Sequence, residues 1–323
     1  MTAPVLEIED VAVHFGGRGG LFKPTHPSVK AVNGVSLTIL PGETLGLVGE
    51  SGCGKSTLAN AILGMAPLTR GAIRVMGRTV SSTDSEALRA VRADVQMVFQ
   101  DPLLSLNPRL TVGAAVGEPL LVRGLASGSA LRGRVAALLK DVGLEPDHAA
   151  RFPHEFSGGQ RQRIVIARAL ALQPALVVCD EPVSALDVSV RAQILNLLAR
   201  LQQQHGVSYL FVSHDLAVVR HIADRVAVMY LGRIVELASR QTLFEAPKHP
   251  YTLALLAAAP EPDPVKQRAK KRIVLGGELP SPSNLPPGCA FSTRCPMASE
   301  RCRVERPELT FRADGASVAC HHA

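Results

Sequence analysis

The sequence predicts an α/β fold. We expect a mixed, largely parallel sheet covered by helices, a helical subdomain and a small cysteine-containing C-terminal extension. Short apolar runs alternate with helical patterns along most of the 323 residues. A glycine-rich loop follows one of these runs and opens a helix, and four of the six cysteines lie near the C-terminus. Together these three observations predict the fold class.

Two kinds of pattern predict the strands. Alternating apolar and polar residues at Val5 to His14 and Val35 to Ile39 indicate edge strands of a mixed sheet. Short apolar runs predict the others, of which the first two are expected to be buried. These runs are Thr44 to Val48, Ala175 to Cys179, Ser208 to Val212 and Val226 to Met229.

Amphipathic stretches between the strands predict helices. They run from Lys55 to about Leu63, from Ser157 to Leu172 and from Val190 to Gln204. Residues about 101–165, punctuated by Pro, Gly and Arg, are expected to form a helical subdomain. Strands that alternate with helices in this way imply a largely parallel sheet with both faces covered.

The chain is expected to divide into residues 1–250 and a C-terminal extension, residues 251–323. From Pro260 through Arg272 the composition shifts to Pro, Lys and Arg, which is typical of a linker. The segment beyond it is too small to hold a substantial core unaided. We therefore expect one large domain with an appended extension.

Composition limits the classes of function. No stretch approaches the roughly 20 apolar residues of a membrane-spanning helix, and the N-terminus lacks the features of a secretory signal. We therefore expect a cytoplasmic protein that reaches a membrane only through a partner. The net charge of +7 suits an anionic ligand, but aromatic residues make up only 4% and Trp is absent. Because base-stacking platforms need aromatic rings, nucleic acid is not an expected partner.

The loop after the first buried run matches the phosphate-binding pattern G-x-x-x-x-G-K-S/T completely. The segment is Gly49-Glu50-Ser51-Gly52-Cys53-Gly54-Lys55-Ser56-Thr57. Glycines let backbone N–H groups approach phosphate oxygens, Lys55 would reach the β and γ phosphates of ATP, and Ser56 would ligate Mg²⁺. The alternative, a turn that binds nothing, is disfavoured by the strand and helix on either side. The pattern indicates a P-loop NTPase.

The second buried run ends in two carboxylates, Asp180 and Glu181. Asp180 fits an Mg²⁺ ligand, usually through a water, and Glu181 fits the base that polarises the attacking water. Taken alone, Asp-Glu-Pro would more often be a solvated turn. Together with the phosphate loop, the pair favours a catalytic interpretation.

Further motifs resemble those of the ABC ATPase family. Ser157-Gly158-Gly159-Gln160, at a helix start, resembles the signature motif, with Phe156 where the family commonly has Leu. Ser157 would cap the helix while the glycines open N–H groups toward a phosphate. The resemblance implies that this motif clasps the γ phosphate held by a second ABC ATPase subunit, so that the chain works as part of a dimer.

The remaining family motifs follow in order. By resemblance, Gln100 touches Mg²⁺ and senses the γ phosphate, and His214 is the switch histidine. The loop that links the two sites of the dimer would be Ser184-Ala185-Leu186-Asp187. Phe15 is the candidate for stacking on adenine, with His14 or a core role for Phe15 as alternatives. Since every motif is intact, we expect a competent hydrolytic half-site.

The cysteines near the C-terminus indicate a metal centre. Cys289, Cys295 and Cys302 follow C-x₅-C-x₆-C spacing, and Cys320 precedes His321 and His322. Structural zinc sites favour tight C-x₂-C pairs, so this spacing favours a 4Fe–4S cluster over Zn²⁺. Either histidine could replace one cysteine, and free or paired thiols are the remaining alternative.

The same region resembles the C-terminal extension of ATP-binding subunits of oligopeptide and dipeptide permeases. Matching segments are His249 to Thr252, Gly277 to Pro282, Gly288 to Phe291 and Arg294 to Pro296, with Val98 to Pro102 and Ser105 to Arg109 upstream. The resemblance implies a peripheral protein at the cytoplasmic face of the membrane that powers import of peptides or similar solutes. Its implied partners are a sister ATPase subunit, two transmembrane permease subunits and an extracytoplasmic solute-binding protein.

Three other functions remain to be weighed. Related importers carry nickel or other non-peptide solutes. A soluble ABC ATPase acting on DNA or ribosomes would tend to carry long coiled-coil insertions or two ATPase domains, neither of which the sequence shows. A regulatory module that holds ATP without hydrolysis is disfavoured by intact Glu181 and His214.

Overall fold

The computed structural model describes residues 3–16, 28–81, 84–259, 268, 276–278 and 280–323. The chain forms two compact units, each assembled from several segments. The first unit comprises Met1–Leu6, Ile39–Glu43 and Arg74–Phe211, and the second comprises Glu7–Thr38, Thr44–Ile73 and Val212–Ala323. Apart from Arg268, the linker predicted at Pro260 to Arg272 lies outside the described residues.

Strands and helices alternate through most of the described chain. The strands are β1 (Leu6–Phe15), β2 (Val29–Ile39), β3 (Thr44–Val48), β4 (Arg70–Val75), β5 (Arg78–Thr79), β6 (Val95–Val98), β7 (Leu176–Asp180), β8 (Ser208–Ser213), β9 (Arg225–Tyr230), β10 (Arg233–Ser239), β11 (Thr310–Phe311) and β12 (Ser317–Val318). The helices are α1 (Lys55–Ile62), α2 (Ser85–Asp94), α3 (Pro102–Ser105), α4 (Val112–Val122), α5 (Gly128–Asp141), α6 (Gly158–Leu170), α7 (Val188–His205), α8 (Leu216–Ile222), α9 (Arg240–Glu245), α10 (Pro250–Ala258) and α11 (Glu300–Val304).

In the first unit, a short parallel sheet brings two strand ends together. Strands β6 and β7 are parallel, with Val98 opposite Cys179, and β7 lies between β6 and β8. The first four residues of β7 are buried apolar side chains, as the run Ala175 to Cys179 predicted. Because parallel strands end at the same edge of a sheet, residues that follow β6 and β7 are neighbours.

The helical subdomain predicted near residues 101–165 corresponds to helices α3 to α6. Arg168 of α6 joins two of its neighbours: its guanidinium donates to the Ser105 carbonyl at 3.0 Å and pairs with Glu118 of α4 at 2.7 Å. Arg163 of the same helix donates to the carbonyl of Val142 after α5 at 2.7 Å. These arginines connect α6 to three other segments of the subdomain.

In the second unit, strands run in the order β11-β12-β10-β9-β3. Strand β3 is wholly buried and parallel to β9, whereas β10 and β12 add in antiparallel fashion. The predicted extension therefore supplies β11 and β12 to a sheet. A small segment that cannot build its own core is stabilised by joining one that exists.

The prediction that Val5 to His14 forms an edge strand is wrong. Strand β1 lies between β2 and β4, so Val5 to His14 is an interior strand and only the segment of β2 is at an edge. Alternating burial shows which face of a strand is covered, but it does not show how many strands flank it. Among the described residues, no helix is long and apolar enough to cross a membrane.

Candidate nucleotide-binding site

The phosphate loop of the second unit joins the buried strand β3 to α1, as predicted. The side chain of Lys55 is buried, and its ammonium donates hydrogen bonds to the carbonyls of Gly49 at 2.7 Å and Glu50 at 3.1 Å. The Cys53 N–H also donates to the Glu50 carbonyl at 3.2 Å. Lys55 therefore joins the end of the loop to its beginning.

Two positions of the loop must be glycine because neighbouring backbone lies too close for a Cβ atom. A Cβ at Gly49 would lie 2.2 Å from the Met229 carbonyl oxygen, and one at Gly54 would lie 2.1 Å from that of Ala31. By contrast, Gly52 has a φ of +77° and open space where its Cβ would be. Close approach of other strands thus sets the loop's path at both ends, while its middle remains open.

The exposed part of the loop suits a phosphate and a magnesium ion. Ser51, Gly52 and Ser56 are exposed, and Thr57 is partly exposed in the first turn of α1. Backbone N–H groups at a helix start and an ammonium attract phosphate oxygens, and a serine hydroxyl is a ligand that Mg²⁺ accepts. The residues present therefore fit both ATP phosphates and Mg²⁺.

Two other predicted residues belong to the second unit. His214 is exposed between β8 and α8, and the next residue, Asp215, caps α8 by accepting the Ala217 N–H at 2.9 Å. Phe15, at the end of β1, is 45% exposed. An exposed aromatic ring can stack on a base, so the role of Phe15 in holding adenine stays a prediction.

In the first unit, the structure brings Gln100 and Glu181 together. The side-chain amide of Gln100 donates to a carboxylate oxygen of Glu181 at 3.2 Å. Asp180 ends β7, and Glu181 follows with a φ of +48°. The N–H and hydroxyl of Ser184 both donate to the Glu181 carbonyl, at 3.2 and 3.1 Å. These bonds hold the left-handed turn that aims the carboxylate at Gln100.

The signature-like motif forms a complete capping box at the start of α6. The Gln160 N–H donates to the Ser157 hydroxyl at 3.3 Å, and the Gln160 side chain accepts the Ser157 N–H at 3.0 Å. Gly158 is exposed, whereas a Cβ at Gly159 would lie 2.5 Å from the Cγ1 of Val190. Phe156, where the family commonly has Leu, is also buried, so the position keeps a buried apolar side chain. Asp187 directly precedes α7.

The predicted metal centre at Cys289, Cys295, Cys302 and Cys320 is not supported. Among the described residues, no group of three or more His, Cys, Asp or Glu side chains is arranged to hold a metal ion. The sulfur of Cys302 instead lies 3.4 Å from the Nε2 of His322 and 3.4 Å from the Ser299 hydroxyl. The donors therefore do not fit Zn²⁺ in this structure.

The four thiols are nevertheless near enough to influence one another. Burial and, to a smaller extent, the charges of Cys302, Cys295 and Cys320 raise the pKa of Cys289 to about 11. The Cys289 N–H donates to the Cys302 carbonyl at 2.8 Å, which joins the turn at Cys289 to α11. The structure thus shows a group of neighbouring thiols without a single-ion geometry.

The sequence interpretation missed the partners of Glu50. Its carboxylate pairs with Arg294 at 2.7 Å, and its N–H donates to the Tyr251 hydroxyl at 2.9 Å. Glu50 occupies a variable position of the phosphate-binding pattern, and both partners lie about two hundred residues or more further along the chain. No local signal in the sequence indicates these contacts.

Two family models match the chain. Residues 32–184 match the ABC transporter family, and residues 235–302 match the C-terminal region of oligopeptide/dipeptide transporters. The two matches cover the phosphate loop, the signature-like motif and three of the four C-terminal cysteines. They agree with both resemblances drawn from the sequence.

Curated relatives match along nearly the whole chain. A probable peptide ABC transporter ATP-binding protein, y4tS of Sinorhizobium fredii, is 54% identical over 99% of this chain and 90% of its own. The oligopeptide transport ATP-binding protein OppF of Salmonella typhimurium is 53% identical over 94% and 92%. The di/tripeptide transport ATP-binding protein DppF of Pseudomonas aeruginosa is 51% identical over 99% and 98%.

Solved structures share the fold. The ATP-binding cassette MJ0796, a dimer in a post-hydrolysis state bound to ADP and Pi, has a TM-score of 0.63 and 32% identity over 73% of this chain and 98% of its own. CbiO1 of Clostridium perfringens, part of the transporter complex cbiONQ, has a TM-score of 0.65 and 26% identity over 75% and 91%. The α/β fold predicted from the sequence is confirmed as that of an ABC ATPase.

Proposed function

This chain belongs to the ABC transporter family of ATP-binding proteins, and from that premise we propose that it hydrolyses ATP to power the import of peptides or related solutes. One observation carries the proposal. Peptide-transport ATP-binding proteins are more than 50% identical to this chain over at least 94% of its length. That similarity includes the extension as well as the ATPase motifs.

The predicted site residues have distinct roles in hydrolysis. Lys55 binds the β and γ phosphates, and His214 contacts the γ phosphate. Ser56 and Asp180 would hold Mg²⁺. When bound, Mg²⁺ neutralises negative charge on the β and γ phosphates.

Glu181 acts as the base in this mechanism. Its carboxylate accepts a proton from the attacking water as the water oxygen bonds to the γ phosphorus, the bond from that phosphorus to the β–γ bridging oxygen breaks, and ADP leaves. The hydrogen bond from Gln100, at 3.2 Å, orients that carboxylate. Gln100 would also contact Mg²⁺ and the γ phosphate, so the same side chain positions the base and senses the bound nucleotide.

A second ATPase subunit completes each site in this proposal. Ser157, Gly158, Gly159 and Gln160 clasp the γ phosphate held by the partner, and Asp187 lies in the loop that connects the two sites. The exposed Gly158 at the start of α6 supports this assignment, as does the dimeric MJ0796 cassette. The partner is proposed to be a sister subunit.

The proposed assembly lies at the cytoplasmic face of the membrane. It includes two transmembrane permease subunits and draws on an extracytoplasmic solute-binding protein. Exposed apolar side chains in the helical subdomain support a membrane-subunit contact: Leu104 of α3 is 88% exposed and Val122 of α4 is 78% exposed. Such a contact would couple ATP binding and hydrolysis by this chain to movement of the membrane subunits.

Transport by the native complex tests the proposed function. The complex is purified with its membrane subunits, reconstituted in vesicles and supplied with its solute-binding protein. We expect labelled di- or oligopeptides to accumulate only with ATP, and Glu181→Gln to abolish uptake. Uptake of nickel but not of peptides would replace the proposed cargo, and failure of the chain to co-purify with any membrane subunit would contradict the transport function.

A 4Fe–4S cluster at the four C-terminal cysteines is a separate proposal. The mutual proximity of the thiols supports it, although the described residues do not form a single-ion site. Anaerobically purified protein should then contain four irons per chain and absorb in the visible blue. Protein that contains neither iron nor this absorption after anaerobic purification would contradict it. No step of the ATPase mechanism above depends on the cluster.

A further inference from the structure

We propose that Arg294 is a positioning residue for nucleotide binding, acting through Glu50 of the phosphate loop. The two nitrogens Nη1 and Nη2 of Arg294 donate to the two carboxylate oxygens of Glu50, at 2.7 and 3.0 Å. Arg294 belongs to the C-terminal extension and Glu50 is the second residue of the loop. The proposal rests on the proposed function, since it concerns the same ATP site.

The geometry and burial of this pair favour a strong interaction. The side chain of Arg294 is 10% exposed and that of Glu50 is 30% exposed. A bidentate guanidinium–carboxylate pair has two parallel charge-assisted bonds and a defined orientation, unlike most ion pairs at the surface. The Arg294 guanidinium also lies 5.9 Å from the centre of the Tyr230 ring. Arg294 is therefore held in place on two sides.

A second bond from the same region holds the backbone of Glu50. The Glu50 N–H donates to the Tyr251 hydroxyl at 2.9 Å. Tyr251 is fully buried, and its ring packs against those of Tyr230 and Phe291, with centroids 4.7 and 5.5 Å away. Glu50 is thus fixed at its side chain by Arg294 and at its backbone by Tyr251.

Glu50 is hydrogen-bonded directly to the phosphate-binding lysine, Lys55. The Glu50 carbonyl accepts a hydrogen bond from the ammonium of Lys55 at 3.1 Å and one from the Cys53 N–H at 3.2 Å. A shift of Glu50 would therefore move both the ammonium and the turn that presents the loop's N–H groups. ATP affinity should respond to the loss of Arg294 even though Arg294 is not itself a phosphate ligand.

The turn that carries Arg294 is part of the cysteine-bearing segment. Its N–H donates to the Phe291 carbonyl at 3.0 Å, and the Ser292 N–H donates to the Cys289 carbonyl at 3.0 Å. Cys295 follows Arg294 directly in the sequence. The extension therefore holds the phosphate loop in position. A change in the conformation of its cysteine-bearing turns would shift Arg294 and, through Glu50, the loop.

The full-length chain with Arg294→Gln, assembled with its partner ATPase subunit, tests this inference, and Arg301→Gln in the same assembly is the control. Arg301 also belongs to the extension and also makes a bidentate pair, with Glu305 at 2.7 and 2.8 Å, but it does not contact the loop. Steady-state hydrolysis, equilibrium ATP binding and thermal unfolding are measured for both variants. We expect Arg294→Gln to raise both KM and Kd for ATP about tenfold, with kcat changed less than about twofold.

Three more variants distinguish a positioning role of Arg294 from a general loss of structure. Arg294→Lys keeps the positive charge but lacks the planar guanidinium that makes two parallel hydrogen bonds. Its KM should therefore lie between those of the wild type and Arg294→Gln. Glu50→Gln should raise KM to a similar extent, and the double variant Arg294→Gln/Glu50→Gln should be no worse than the worse single variant. Arg301→Gln should leave KM, Kd and kcat within about twofold of the wild type.

The results separate this inference from the proposed function. If the wild type hydrolyses ATP and Arg294→Gln matches Arg301→Gln in KM and Kd, the positioning role is overturned. Additive effects of the two substitutions in the double variant would also overturn it. If the wild type binds ATP but does not hydrolyse it, the proposed function fails while Kd still decides the role of Arg294. A wild type that binds no ATP would overturn both.

Discussion

The side-chain amide of Gln100 donates a hydrogen bond to the carboxylate of Glu181 across 3.2 Å. The two residues are 81 positions apart in the chain, but they follow the parallel strands β6 and β7. Parallel pairing with Val98 opposite Cys179 places both at the same edge of the sheet. The contact ties the proposed base to the residue that is expected to sense Mg²⁺ and the γ phosphate.

Replacement of the base should separate ATP binding from hydrolysis. Glu181→Gln keeps the shape of the side chain but cannot accept a proton, so kcat should fall by about 100-fold or more while Kd for ATP changes little. Glu86→Gln, an exposed position at the start of α2, should leave both unchanged. Steady-state turnover and equilibrium binding check this. Near-normal turnover by Glu181→Gln would assign the base elsewhere.

The helix cap at Ser157 should have both a structural and a functional effect. Ser157→Ala removes a cap to the Gln160 N–H at 3.3 Å and should lower the free energy of unfolding by about 1 kcal/mol. Thr111→Ala removes a cap to the Ala114 N–H, also at 3.3 Å, with a similar cost.

Turnover distinguishes these two caps. Only Ser157→Ala should lower ATP hydrolysis by the assembled ATPase subunits, because only Ser157 is proposed to meet the partner's γ phosphate. Urea unfolding and turnover are measured for both variants. Equal loss of turnover in the two variants would show that Ser157 acts through stability alone.

Two glycines in helices should respond to alanine in opposite ways. At Gly159 a Cβ would lie 2.5 Å from the Cγ1 of Val190, so Gly159→Ala should destabilise the protein by about 1–3 kcal/mol. At Gly133 of α5 nothing lies within 4 Å of the added Cβ. There Gly133→Ala should stabilise by roughly 0.5–1 kcal/mol, as alanine favours a helix. The urea midpoints of unfolding of the two variants measure these changes in stability. A stabilising effect of Gly159→Ala would contradict the close contact with Val190.

The buried His249 should make stability depend on pH. Its side chain is 1% exposed, and burial lowers its pKa to about 4. An unfolded histidine has a pKa of about 6.5, so the unfolded state binds a proton that the folded state does not. This contribution to stability is complete above pH 6.5 and is lost as the pH falls toward 4, with an upper limit of about 3 kcal/mol.

Substitution isolates the contribution of His249 to that pH dependence. The ring caps α10, because its Nδ1 accepts the Tyr251 N–H at 3.1 Å, and asparagine can also cap a helix. His249→Asn should therefore flatten the fall in Tm between pH 6.5 and 4. His154→Asn, at an exposed position, should retain the slope of the wild type. If the slopes of His249→Asn and wild type coincide, His249 does not control acid stability.

The sequence by itself determined the elements whose signals are local. The run Thr44 to Val48 predicted β3 with its bounds, and the helix predicted from Lys55 is α1. Both are set by residues adjacent in the chain: a buried apolar run, then glycines, a lysine and a helix start. The capping box at Ser157 and Gln160 is equally local.

Only the tertiary structure decided which distant segments meet. Arg294 and Glu50 are 244 positions apart, and no periodicity or motif pairs them. The interior place of β1 and the absence of a single-ion geometry among the described cysteines also depend on packing between segments. Hydrophobic pattern and turn residues set what each segment becomes, whereas long-range pairing follows from how all the segments pack around a shared core.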